Sequence, residues 1–313
     1  MRTGIYSFVM LFFLSPGAFS ASLARRQVLN VPWGNAAGQV GRHLKAGVED
    51  GNAGPVDFMI DKTEEVYVAD LFNRRIDVFN ARSDLDRIIL LPDSKKDIIQ
   101  SISAADQKVF ALVLRGPGKP DAHVLEWDTS NKLVQDLSLK ALGILLPLYL
   151  ERSPEGDFFI QDNMSFITWR LDATGKILGQ IPDDERLMGL ASQGRYRFVV
   201  KDYTVQILSN DGQLLATYWG DKGHLQILGT DESGALYILY EKEQGHLGLD
   251  KLSPDGKRLV SITISDPFDK ALLDPDRFFS FRPGRIAPDG TLYIMSEPTG
   301  SDFKIFAYTL SSE

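Results

Sequence analysis

Apolar residues alternate with polar ones in runs of four to six, and tight polar turns separate the runs. The stretch Gly54 to Asn80 (GPVDFMIDKTEEVYVADLFNRRIDVFN) shows the unit. Val56, Phe58 and Ile60 alternate with Asp57 and Met59, and Asp61 to Glu65 form a polar turn. Val66-Tyr67-Val68 is β-branched and aromatic, Ile76 to Phe79 alternates again, and Asn80 to Asp84 turn the chain into Ile88 to Leu91. Period-two runs bounded by turn chemistry predict an antiparallel meander of four strands.

The pattern recurs. The turn into the second strand appears six times, ahead of EEVYV, QKVFALV, EGDFFIQD, QGRYRFVV, SGALYILY and DGTLYIMS. The turn before the fourth strand appears five times, in NARSDLDRIIL, DTSNKLVQDL, DATGKILGQI, SNDGQLLATY and SPDGKRLVSI. Gly175, Gly212 and Gly256 supply the positive φ such hairpins favour. The sixth unit ends on a third strand, Phe303 to Leu310, while an unmatched strand, Gln27 to Trp33, precedes the first unit. Period and count predict an all-β chain: one six-bladed β-propeller of four-stranded blades, closed by the N-terminal strand joining the last blade. Closure hides edges that invite aggregation.

Composition adds location. Arg2 is followed by an apolar run, Ile5 to Leu14, then Ser15-Pro16-Gly17 and the small-residue pattern Ala18-Phe19-Ser20. That order predicts a signal peptide over residues 1–20, cleaved after Ser20, and a periplasmic or secreted propeller over 21–313. The run is too short to span a bilayer as a helix, and no transmembrane segment is expected in the mature chain. The chain has no cysteine, which excludes disulfides, thiolate metal sites and covalent c-type haem. It holds 34 Lys and Arg against 42 Asp and Glu; export removes only Arg2, leaving a net charge of −9. Nucleic acid is therefore not expected as a partner.

The unit Gly54–Asn80 resembles an NHL repeat. Gly54, Pro55, Asp61, Asp70, Asn73, Arg75, Ile76 and Phe79 fall on that pattern, and the match fades in the other units. The whole chain resembles bacterial exported six-bladed propellers carrying one good NHL-like blade. Within that blade, the expectation is an Asp70–Arg75 pair locking its own blade, with Asp and Asn capping turn amides.

Candidate chemistry lies in two places. Residues on the innermost strands face a central funnel, which marks Asp57, Tyr149, His224, Gln226, Arg282 and Arg285 as ligand-binding candidates. Acids near the end of the second strand (Asp70, Asp162, Asp202, Glu241 and Glu297, with Arg115 in the second unit) make a possible ring. Asp57, Asp70, Asp162 and Asp202 are the candidate ligands for Ca²⁺ or another divalent cation, although turn capping is the stronger expectation for the last three. His43, His123, His224 and His246 are scattered, and no nucleophile elbow, P-loop or H-E-x-x-H motif is present. These features predict a module that binds a periplasmic protein or small molecule. The alternative is a metal-dependent hydrolase or lyase, lactonase-like, with its cation in the funnel.

Overall fold

A computed structural model describes residues 21–43, 54–93, 96–105, 108–116, 121–153, 156–162, 164–165, 167–182, 196–201, 204–209, 213–219, 225–241, 247–264, 284–287, 289–295 and 300–312. The predicted signal segment, residues 1–20, lies outside them, as do His224, Arg282, Asp202 and Gly212.

The strands form meanders in chain order. The first blade is β2 (Asp57–Ile60), β3 (Val66–Asp70), β4 (Arg75–Phe79) and β5 (Leu85–Leu90). The second is β6 (Ile98–Ala105), β7 (Lys108–Arg115), β8 (Asp121–Trp127) and β9 (Leu133–Ser138). The third is β10 (Pro147–Arg152), β11 (Phe158–Asp162), β12 (Ile167–Leu171) and β13 (Ile177–Pro182). A sheet of three strands follows: β14 (Tyr196–Lys201), β15 (Thr204–Ser209) and β16 (Leu214–Trp219). Next comes a four-stranded blade, β17 (Leu225–Thr230), β18 (Leu236–Glu241), β19 (Leu247–Leu252) and β20 (Arg258–Ile264). The last blade holds β21 (Gly284–Ile286), β22 (Leu292–Met295) and β23 (Asp302–Ser312), with β1 (Ala21–Pro32) as its outer strand.

The architecture is a β-propeller of four-stranded antiparallel blades. Five blades have all four strands among the described residues, where the sequence predicts six. The N-terminal strand does join the last blade: β1 runs antiparallel to β23, from Ala21 opposite Ser312 to Pro32 opposite Asp302. It starts earlier than the predicted Gln27 and stops before Trp33, which instead makes a parallel bridge to Val40. No helix among the described residues is long and apolar enough to cross a membrane.

The inner strands of the first blade are buried on both faces because the blade lies between two neighbours. Phe58, Val66 and Val68 of the first blade pack on Met295, Phe303 and Ile305 of the last. Tyr67, Ile76 and Val78 pack the other way, on Ile99, Ile102 and Val109 of the second. Apolar clusters therefore sit between adjacent blades, and in the first blade alternation in the sequence chooses the neighbour rather than core against solvent.

The recurring turns share one geometry. In eight hairpins among the described residues, the residue opening the turn donates its N–H to the carbonyl four residues on and accepts the N–H three residues on. The third residue after the opener then has positive φ: Glu64, Ser83 and Asn131 in three turns, glycine at 156, 175, 234, 256 and 290 in the others. An Asp, Asn or Ser at the opening position folds its oxygen over the turn amides, as Asp128 does for Ser130 and Lys132. Asp231 adds to this role. It accepts Ser233 and Ala235 amides and the Tyr237 hydroxyl, and pairs with Lys251 at 2.9 Å. Burial pushes its carboxyl up, but the bonds from Ser233, Lys251 and Tyr237 outweigh burial and hold it down at about 2. Its stabilisation is present above the ordinary carboxylate range and is lost as pH falls through about 2. Asp231→Asn is expected to lower the melting temperature at pH 7, with the deficit shrinking between pH 4 and pH 2.

Candidate functional site

Asp57 opens β2, the innermost strand of the first blade, and its side chain is wholly buried. Its carboxylate gathers donors from three blades. Phe58 N–H donates to Oδ1 at 2.9 Å within the first blade. From the second blade, Ser101 Oγ and Ile102 N–H donate to Oδ2 at 2.7 and 3.0 Å. From the last, Arg285 donates through Nε to Oδ1 at 3.2 Å and through Nη2 to Oδ2 at 2.7 Å. This two-point fork is the strong form of an arginine–carboxylate pair.

Arg285 reaches further. Its Nη2 also donates to the Ile102 carbonyl at 2.8 Å, and Nη1 lies 3.6 Å from Glu151 on β10. Ser101 Oγ in turn accepts the Leu150 amide, and Ser103 Oγ accepts that of Arg152. The innermost strands of four blades are thus tied across the axis side of the propeller by one polar network. Two of the six funnel candidates, Asp57 and Arg285, meet there. Tyr149 is buried on the third blade beside Leu148, Phe159 and Ile181. Gln226 lies on β17 opposite Leu239. His224 and Arg282 lie outside the described residues. Sequence reasoning missed Ser101 and Glu151; a period-two pair of serines, Ser101 and Ser103, inside an apolar innermost strand was the available signal.

The acids ending the second strands do other work. Asp70, wholly buried, accepts the amides of Gly41 (2.9 Å) and Asn73 (3.0 Å) and the Asn73 side-chain amide (2.6 Å). Gly41 passes so close that a Cβ there would sit 2.7 Å from both Asp70 Oδ1 and Phe72 Cβ. Asp162, equally buried, accepts the amides of Leu146 (2.8 Å) and Met164 (3.2 Å) and the Ser165 hydroxyl (2.8 Å). Each carboxylate pins the link entering its blade to the turn leaving β3 or β11. Asp202 lies outside the described residues. Among the described residues, no group of three or more His, Asp or Glu is arranged to hold a metal ion.

The expected Asp70–Arg75 pair takes a different form. Arg75 Nε lies 2.8 Å from Asp77 and 4.0 Å from Asp70. Its Nη2 donates to the carbonyls of Gln39 (2.7 Å) and Ala36 (3.0 Å), and Asn73 Nδ2 donates to Gly34 O. The NHL-like residues hold the link from β1 into the first blade, rather than only their own blade. Burial pushes the Asp77 carboxyl up to about 7, outweighing Arg75 beside it, and the negative charge of Asp70 adds to the rise.

The fold is that of solved β-propellers. No protein-family profile matches the sequence, and no curated protein does. The chain is similar in structure to PQQ-bound aldose sugar dehydrogenase from Streptomyces coelicolor, with 10% identity and a TM-score of 0.53 over 94% of this chain and 99% of that one. It is similar to a catalytically inactive variant of virginiamycin B lyase from Staphylococcus aureus in complex with quinupristin, with 12% identity and a TM-score of 0.52 over 93% and 100%. A functionally unknown protein from Desulfotomaculum acetoxidans gives 16% identity and a TM-score of 0.51 over 77% and 79%. At such identities the β-propeller likeness shows shape alone.

Proposed function

We propose that this β-propeller is an exported binding or scaffold module, holding a periplasmic protein or small molecule on a rigid six-bladed ring. In that ring β14–β16 belong to the fourth blade, and the β1–β23 pairing closes the circle. The order of the N-terminal segment supports export.

The observation that carries the reading is the state of Asp57. Both of its oxygens already accept protein donors, among them a guanidinium. A carboxylate so engaged ties blades together and has little left for a hard cation, which needs six to eight oxygen ligands. A thermal melt of the protein in EDTA, then with excess Ca²⁺, Mg²⁺, Mn²⁺ or Zn²⁺, tests this. A site filled at 100 times its dissociation constant adds about 2.7 kcal/mol. The expected result is no shift with any ion and no turnover of lactones or esters. A selective rise that Asp57→Asn removes, together with ion-dependent lactone hydrolysis, overturns the reading.

A further inference from the structure

The second blade carries the first blade's polar knot with its charges exchanged. In the first blade Asp70 stands opposite Arg75, and Val68 opposite Asp77. At the matching register of the second blade, Arg115 stands opposite Asp121, and Val113 opposite His123. Acid, base, acid has become base, acid, histidine.

The exchange changes what the site does with the link entering its blade. Asp70 and Asp162 accept link amides and draw the link down. Arg115, a donor only, has no such bond to give. Its Nη1 lies 2.6 Å from Asp136 on β9, and its Nε lies 3.6 Å from Asp97 of the link. Asp136 is also 2.6 Å from His123 Nδ1. Between the link and β9 a cavity of about 400 Å³ stands open. A break in a repeated local rule, without an evident packing gain, is where a binding function is expected.

We propose that this cavity is a binding site for a neutral polyhydroxy ligand, of mono- or disaccharide size. The volume falls within the range of small-molecule sites, roughly 300–1,000 Å³. Arg115 and Lys96 on its wall are outnumbered by Asp93, Asp97 and Asp136, so a small anion is repelled. No described group of acids is arranged to hold a metal ion. What remains is a fixed donor beside a fixed acceptor: the Arg115 guanidinium next to the Asp136 carboxylate, their side chains 24% and 37% exposed, with Asp97 buried behind them. That pair suits adjacent hydroxyls, each of which both donates and accepts. Leu133 and Pro92 supply an apolar wall for the C–H face of a sugar ring. At Gly116 (φ +88°) a Cβ would meet nothing within 4 Å, which leaves that backbone open to a ligand.

The inference rests on the binding-module reading and can fail separately from it. Saturation-transfer NMR on the full chain, with glucose, galactose, N-acetylglucosamine, maltose and trehalose, and with acetate as the anion control, tests the site. At least one sugar is expected to saturate in the millimolar range or tighter, and acetate is not. Leu133→Trp, which fills the cavity, is expected to weaken that sugar at least tenfold. Arg115→Lys keeps the charge but loses the planar fork, and is expected to weaken it roughly three- to tenfold with the fold intact by melting temperature. No saturating sugar, equal binding to both variants, or acetate binding as tightly as the best sugar overturns the proposal. A failed sugar titration leaves the ion-insensitivity of the funnel standing, and ion-dependent hydrolysis leaves the sugar titration standing.

Discussion

Asp57→Ala is expected to cost about 3–5 kcal/mol of stability, the usual effect of stripping one partner from a buried ion pair. The variant leaves Arg285 as a nearly buried cation, its side chain 11% exposed, stripped of its two-point carboxylate and 3.6 Å from Glu151. It also strands the Ser101 hydroxyl and the Phe58 and Ile102 amides. For a chain of this size the melting temperature is expected to fall by roughly 6–12 °C. The double variant Asp57→Leu/Arg285→Leu is expected to recover much of the loss, because replacing a whole buried pair by apolar side chains is far less costly than halving it. Urea unfolding of the two singles and the double closes the cycle. If Asp57→Ala unfolds at the wild-type midpoint, the network does not tie the blades.

Arg75→Met is expected to be comparably severe, and to be felt at the start of the fold. Two wholly buried carboxylates, Asp70 and Asp77, lose their cation, and the carbonyls of Ala36 and Gln39 lose their donor. The expected loss is about 3–5 kcal/mol at pH 8, with new protease cuts between residues 34 and 41. The pH dependence has a definite sign. A carboxyl raised to about 7 in the folded state favours folding below that value, and this contribution is lost as pH rises from about 4 through 7. Without Arg75 the Asp77 carboxyl needs its proton more, so the deficit is expected to shrink between pH 8 and pH 5. Arg75→Lys is expected to recover little, since a single ammonium cannot reach Asp77 and the link carbonyls together. Urea midpoints at both pH values and limited proteolysis check this. A pH-independent deficit contradicts the assignment of Asp77 as the titrating group.

Much of this was legible in the sequence, for identifiable reasons. Strand and turn have a period-two and a φ-based signature that survives repeat decay, so the blades and the β1–β23 pairing could be read from alternation and turn residues. Asp57 stood out because a carboxylate inside an innermost strand must be met by donors. Its partner Arg285 was nominated for the same funnel, but the pairing of residues 228 apart depends on which blades are adjacent, and spacing does not carry that. Asp77 went unnoticed because it alternates correctly within its strand. The exchange of charges in the second blade was half visible: Arg115 broke the acid series. Aligning Asp121 and His123 with Arg75 and Asp77 requires the strand register across a longer link.

The pairing of β1 with β23 also has a consequence for the order of events during synthesis. Ala21 and Ser312 stand opposite each other, yet every strand from β2 to β22 is made between them. β1 therefore has no partner until β23 has been made. Through that interval Leu29 and Val31, fully covered in the finished blade, are exposed beside unpaired backbone. Closing so long a loop is a late, entropically costly step. A nascent chain of this design has reason to be held by a chaperone at β1, and to resist settling into a stable fold before β23 is present.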